Sequence, residues 1–325
     1  AQTSTLNVPE RDNTQMDGYA VRASDCASGA ASLPVSQRIA AGHVGQPLQP
    51  GTAARIFTGA LMPDGADCVV MQEQCTVADG VVTVNHVPHA GEWVRRQGED
   101  IRAGSVILEA GRRLRSQEMG LAASVGLAQL PVLRKLRVAV FFTGDELAMP
   151  GEPLAPGAVY NSNRFTLRGL LENLGCEITD LGIVPDSLEA TRAVLRQAAQ
   201  GNDLIITSGG VSVGEEDHIK PAVEAEGRLN MWQIAVKPGK PLAFGEVKEA
   251  FFVGLPGNPA SAFVTATLFL LPLVRHLAGA RDPLPEIRRA PIAAPLGAGG
   301  KRRDYLRARL ADGALTVFDG QDSGR

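Results

Sequence analysis

This chain of 325 residues has no long hydrophobic run, no excess of positive charge and no closely paired cysteines, and each absence removes a class of protein. The most apolar stretch, residues 260–274, contains Thr265 and Thr267 and is interrupted by Pro272, whereas a membrane-spanning helix needs roughly 20 apolar residues. No membrane association is expected. The start, AQTSTLNVPERD, lacks the basic-then-apolar pattern of a secretory signal. It also lacks an initiator Met, so a trimmed chain is expected. Lys plus Arg number 32 against 35 Asp plus Glu, a net charge of −3, which argues against a nucleic-acid binder. The four cysteines, Cys26, Cys68, Cys75 and Cys176, form no C-x-x-C pair. They read as free thiols in a reducing compartment, and a cytoplasmic location follows as an expectation. Neither G-x-x-x-x-G-K-[ST] nor G-x-G-x-x-G occurs, so P-loop and dinucleotide-binding readings fall away. There is no internal repeat or low-complexity tract.

What is present is an ordinary globular balance, 44% hydrophobic and 21% charged, with 36 Gly and 21 Pro spread along the chain as turn formers. Residues 1–103 carry short apolar runs between Gly, Pro and Asp and read as a β-rich domain. Residues 104–135 form a linking segment with a short amphipathic helix, Ser116 being the expected N-cap. Residues 136–280 alternate strands with helices. Strands are expected at 137–142, 178–184, 204–207 and 251–255, and helices at 163–174, 187–200 and 259–278. The class is α/β, multidomain, with a doubly wound parallel sheet in this part. Pro283 and Pro285 mark a linker, and residues 281–325 read as a small C-terminal β domain that is incomplete.

The most informative segment is TSGGVSVGEEDH, residues 207–218. Open α/β sheets bind ligands beyond the carboxyl ends of their strands. Thr207, Ser208, Gly209, Gly210, Ser212 and Gly214 there would offer backbone N–H groups and hydroxyls to an anion. Glu215, Glu216 and Asp217 follow, and acids beside a phosphate site call for a divalent cation, Mg²⁺. Two other strand ends carry acids, Glu146 in TGDEL and Asp186 in VPDSLE. Glu146, Asp186 and Asp217 are therefore the candidate metal ligands. A competing reading makes Asp186 the N-cap of the next helix, with Glu189 completing a capping box. Lys237 and Lys240, braced by Pro238 and Pro241 in KPGKP, suit an oxyanion, or else form a plain surface turn. Asn258 and Ser261 in GLPGNPAS mark a helix start that either binds an anion or merely caps itself. His86 and His89 lack a third ligand nearby, and Trp93 and Trp232 read as packing residues. Spacing alone gives no role to Asp17, Thr58 or Asp100.

Taken in order, NTQMDGYAV, RIFTGALMPDGADCVV, TGDEL, GGVSVGEED, KPGKP and GLPGNPASA resemble the molybdopterin molybdenumtransferase family, known as MoeA in bacteria, over nearly the whole chain. The E domains of gephyrin and of its plant counterpart are similar. The resemblance implies a molybdenum insertase acting on adenylylated molybdopterin and molybdate. It would hydrolyse the phosphoanhydride with Mg²⁺ and release AMP. The resemblance further implies an elongated homodimer, an adenylyltransferase upstream, and an active cleft between the α/β domain and the β-rich domain of the other subunit. On that view Glu146, Asp186 and Asp217 match the family's acidic cluster, and Asp17, Thr58 and Asp100 face it. Lys237, Pro238, Lys240 and Pro241 would hold molybdate or the pterin phosphate. Arg11, Thr14 and Gln15 depart from the family pattern, as do Glu215, where Asp is common, and His218, where Tyr is common. These departures spare the candidate acids. The alternatives are a molybdopterin adenylyltransferase, which would lack the β-rich part, and a gephyrin-like scaffold without catalysis.

Overall fold

The computed structural model describes residues 1–211, 217–297 and 299–321. It divides into two compact units, Ala1–Pro131 and Val132–Arg325.

The first unit is built on a six-stranded sheet of β1 (Gly18–Val21), β2 (Ala31–Ile39), β3 (Ala53–Ile56), β4 (Cys68–Met71), β5 (Cys75–Ala78) and β6 (Val81–Val84). Its order is β4-β1-β3-β2-β6-β5, and only β2 and β3 run parallel. Alternation fills both faces. Tyr19, Val21, Ala53 and Val70 enter one apolar cluster, while Ala20, Ala54, Ile56 and Val69 enter another. Asp79 and Gly80 join β5 to β6 with φ of +50° and +77°, the left-handed pair that a two-residue hairpin demands. Helix α1 spans Ser116–Ser124, but Ser116 is not its cap. The cap position is Arg115, whose N–H is accepted at 2.9 Å by the Glu118 carboxylate, and the guanidinium groups of Arg112 and Arg115 donate to the same carboxylate. A glutamate three residues into the helix does the capping, supported by two arginines.

The second unit holds a six-stranded mixed sheet. Its strands are β7 (Arg137–Thr143), β8 (Glu177–Val184), β9 (Leu204–Ser208), β10 (Gly227–Gln233), β11 (Pro241–Val247) and β12 (Ala250–Leu255), in the order β8-β7-β9-β12-β11-β10. The first four are parallel, and β11 and β10 add antiparallel at one edge. Along β7, Ala139 and Phe141 join one buried cluster while Val138, Val140 and Phe142 join the other. The first cluster packs under α3 (Leu188–Ala198) and α4 (Ile219–Glu226). The second packs under α2 (Ser162–Asn173) and α5 (Pro259–Leu277). Burial on both faces is why these strands read as continuous apolar runs.

Helix α5 is long and apolar enough, by length and composition, to cross a membrane. Pro272 does not interrupt it. A π turn over Ala266–Leu270 precedes the proline and absorbs its missing N–H. Ala266, Leu270 and Val274 pack into the sheet's core, which makes α5 a core helix.

Candidate functional site

The strand order sets the place. From β7 the chain crosses one face by α2 to β8, then returns across the other face by α3 to β9, on the opposite side of β7. Connections therefore diverge between β7 and β9, and a crevice opens beyond their carboxyl ends. Three glycines line it. Gly144 has φ +147°, and the Glu146 carboxylate lies over it, 2.8 Å from where a β-carbon would stand. Gly209 has φ +102°, and a β-carbon there would run into the Thr143 carbonyl oxygen. Gly210 has φ +62°, with Thr143 Oγ1 2.7 Å from its would-be β-carbon. Only glycine lets the two strand ends approach so closely.

Two hydroxyls at this floor, those of Thr143 and Thr207, are buried and have no hydrogen-bond partner among the described residues. Buried polar groups normally find partners, so these two hydroxyls keep unused donor capacity. Ser208 behaves differently. Its hydroxyl donates to the Pro256 carbonyl at 2.9 Å and accepts from Asn163 Nδ2 at 2.7 Å. A serine has one O–H to give. Ser208 is thus a strut, and its hydroxyl is not free for the anion-donor role expected of it, whereas that of Thr207 is unpartnered among the described residues. Asn163 also donates to the Gly257 carbonyl at 2.8 Å, tying α2 to the turn before α5. Nothing in the sequence singled out Asn163, because it merely began an apolar helical stripe. Thr143 had a signal, since two strands end in a hydroxyl residue followed by glycine. Ser212 and Gly214 lie outside the described residues.

The acids come next. The cap of α3 is Ser187, whose hydroxyl accepts the Ala190 N–H at 3.3 Å, and not Asp186. Asp186 instead exchanges hydrogen bonds with Asp145. Each backbone N–H donates to the other's carboxylate, both at 3.2 Å. This clasp joins the ends of β7 and β8. Burial raises the pKa of Asp186, as do the charges of Asp145 and Glu146, while the Asp145 N–H and His218 act against the rise. The residues felt by Asp186 therefore come from the end of β7 and from the His218 segment, which also carries the half-buried Asp217. Among the described residues, no three acidic, His or Cys side chains converge closely enough to hold a metal ion by themselves.

The cationic side is the Lys237–Pro241 turn. Lys237 and Lys240 are exposed, and neither meets a carboxylate among the described residues. The turn is seated on α5, because a β-carbon at Gly239, φ +106°, would collide with the Thr265 methyl group. Backbone bonds fix it further, from Tyr305 N–H to the Lys237 carbonyl at 2.8 Å and from Ile234 N–H to the Lys240 carbonyl at 3.1 Å. Pro238 and Pro241 are half-buried. Asn258 caps α5, its Oδ1 accepting the Ser261 N–H at 3.1 Å, and Pro259 occupies the first turn. The simpler capping alternative describes this pair.

In the first unit, Asp17 Oδ1 accepts both the N–H and the O–H of Thr58, at 2.7 and 2.6 Å. These bonds, with the nearby Arg55 charge, lower the Asp17 pKa. Asp100 is ion-paired with Arg95. A short strand, Asn13–Thr14, pairs with Val94–Arg95 on one side and exchanges backbone bonds with Gly59 and Ala60 on the other. It knits the segments bearing Asp17, Thr58 and Asp100 together. His86 and His89 both turn to Glu92, at 2.8 and 2.7 Å, and Trp93 and Trp232 pack against apolar clusters.

Comparison with known proteins agrees with this layout. Residues 1–126 match the family model described as "MoeA N-terminal region (domain I and II)", and residues 139–276 match "Probable molybdopterin binding domain". The chain is 47% identical over 282 residues to a molybdopterin molybdenumtransferase of Haemophilus influenzae, covering 86% of this chain and 69% of that one. It is 40% identical over 325 residues to molybdopterin molybdenumtransferase 2 of Mycobacterium tuberculosis, covering 96% and 80%. The crystal structure of a molybdopterin biosynthesis MoeA protein from Pyrococcus horikoshii OT3 superposes with a TM-score of 0.84 at 26% identity, covering all of this chain and 82% of the other.

Proposed function

The chain belongs to the MoeA family of molybdopterin molybdenumtransferases, enzymes of molybdenum cofactor biosynthesis, and from that premise we propose that it transfers molybdenum from molybdate into adenylylated molybdopterin and releases AMP. The observation that carries this reading is the crevice between β7 and β9, where buried hydroxyls of Thr143 and Thr207 meet glycine-lined backbone beside the Asp145–Asp186 clasp. Such a floor suits a phosphorylated ligand. The Lys237–Lys240 turn suits a tetrahedral oxyanion such as molybdate, because its braced backbone keeps two exposed ammonium-bearing side chains rooted close together.

The donor set fits Mg²⁺. Asp145, Glu146 and Asp186 are hard oxygen donors, and the charge of Asp186 is disfavoured first by burial and then by its two acidic neighbours, an electrostatic cost that a dication would relieve. Mg²⁺ commonly takes one or two carboxylates together with substrate phosphates, so a ready-made cage of three is not required. When bound, Mg²⁺ supplies charge neutralisation at the phosphoanhydride. Asp186, at the end of the clasp between β7 and β8, is the carboxylate assigned to accept a proton from an attacking water. The new bond forms from water oxygen to phosphorus, and the phosphoanhydride bond to AMP breaks. The reading extends to a cytoplasmic homodimer fed by an upstream adenylyltransferase.

The test is incubation of the chain with adenylylated molybdopterin, Mg²⁺ and molybdate while AMP is followed. AMP release that requires molybdate and stops with chelator supports the proposal, and so does a fall of about 10²-fold or more in Asp186→Asn. ATP consumption with molybdopterin, and no turnover of the adenylylated form, would replace it with an adenylyltransferase.

A further inference from the structure

On the sheet of the first unit, Arg38 of β2 and Arg55 of β3 are direct register partners. Like charges placed opposite each other on neighbouring strands are destabilising. Both guanidinium groups also lie over one ring, Phe57, with their central carbons 4.4 and 4.5 Å from its centroid. Arg55 is further fixed by Tyr19, whose centroid is 5.2 Å away, by the Gly18 carbonyl at 2.9 Å and by Gln72 Oε1 at 2.7 Å. Arg38 is exposed, and among the described residues it makes no hydrogen bond and no ion pair. In the same unit Arg22, Arg95, Arg96, Arg112 and Arg115 each meet a carboxylate. The Arg38–Arg55 pair does not, although acids outnumber bases in the chain. Asp17 feels the Arg55 charge, but its Oδ1 already accepts two hydrogen bonds from Thr58.

The pair is like-charged and aromatic-braced, and among the described residues it forms no ion pair, Asp17 acting on Arg55 only through its field. We propose that Arg38, Arg55 and Phe57 form a phosphate-binding site, taking a phosphate ester or anhydride beside Thr58. Arg38, held over the ring and making no hydrogen bond among the described residues, keeps its N–H groups for oxygens, the forked manner in which arginine grips phosphate, while Arg55, whose terminal nitrogens already donate to the Gly18 carbonyl and Gln72 Oε1, adds its charge. The two charges then attract one dianion instead of repelling each other. Its residues belong to the first unit, whereas the lysine turn belongs to the second, and the inference does not depend on the reaction proposed above.

The experiment is calorimetric titration of the full chain with inorganic pyrophosphate, and in parallel with AMP, together with thermal melts. Arg38→Gln is the decisive variant, because Arg38 has no hydrogen bonds to lose. It should weaken pyrophosphate binding about tenfold or more, and Arg38→Lys should recover only part of the loss, since an ammonium lacks the fork. The melting temperature of Arg38→Gln should stay level or rise, because repulsion with Arg55 is relieved. In a background carrying Lys237→Gln and Lys240→Gln, the dependence on Arg38 should persist. AMP binding that shares this dependence assigns the site to a nucleotide phosphate, and dependence for pyrophosphate alone assigns it to an unesterified one. Unchanged binding of both probes by Arg38→Gln overturns the proposal, most plainly if the melting temperature falls, for the pair would then be a packing device. Failure of the AMP-release assay leaves this titration unaffected.

Discussion

Asp186 is held in a position that disfavours its charge, and that has a measurable consequence. Its folded pKa lies above the ordinary aspartate value of about 3.9. The folded chain therefore binds this proton more tightly than the unfolded one does. The stability it contributes is fully present below the ordinary pKa and is lost as pH rises through the folded value. Asp186→Asn cannot ionise, and its amide oxygen still accepts the Asp145 N–H. The variant should melt higher than the parent at pH 7, with the gap closing toward pH 3, while AMP release falls. A gap that ignores pH in a series of melts would show that Asp186 is not electrostatically strained. Asn163 makes the opposite kind of case. Asn163→Ala removes the donor to both the Ser208 hydroxyl and the Gly257 carbonyl. Leaving the buried Ser208 hydroxyl without its donor costs about 1–3 kcal/mol, to be read from urea unfolding. A loss below a few tenths would mean that water replaces the amide.

At the level of elements, the sequence was most legible where burial was complete. β7, β9 and β12 stand close to where their apolar runs put them, because strands covered on both faces must be continuously apolar. α2 ends at Gly175, φ +79°, as its stripe suggested. The edge pair β10–β11 was not legible. It begins at Gly227 and contains Gly245, whose would-be β-carbon collides with the Arg228 carbonyl, and β11 opens on Pro241, so composition spoke for turns. α4 was hidden by Pro221 in its first turn. The candidate site was legible as strand ends bearing Gly, hydroxyl and acid. Hydrogen-bond partners were not, so Ser208 was given an anion while its O–H served Pro256, and Asp186 was given a cap that Ser187 makes. α1 offers its own test. The arginine and backbone bonds hold the Glu118 pKa well below the ordinary value of about 4.3. A depressed carboxylate stabilises the fold above that pH and loses its contribution as pH falls through the folded value. Glu118→Gln should lower the melting temperature at pH 7, and the difference should shrink on acidification below about pH 4.

For the whole molecule, the decisive feature is that each unit owns its core. Among the described residues, two apolar clusters lie within Ala1–Pro131 and two others within Val132–Arg325. Cooperative unfolding follows shared burial, so such a chain is expected to melt in two steps, each with a van 't Hoff enthalpy suited to its own unit and not to 325 residues. The anion sites are divided in the same way. Lys237 and Lys240 belong to the second unit, and Arg38 and Arg55 to the first. A ligand stabilises only the folded unit that binds it, by about 2.7 kcal/mol at a hundred times its dissociation constant. Scanning calorimetry of the intact chain should therefore show molybdate raising the transition of the second unit, and pyrophosphate raising that of the first in an Arg38-dependent way. Lys240→Gln should abolish the first shift alone, and Arg38→Gln should diminish the second alone. A single transition moved equally by both anions would mean that the two units unfold as one, and the separate assignment of the two anion sites would then have to rest on titration instead of melting.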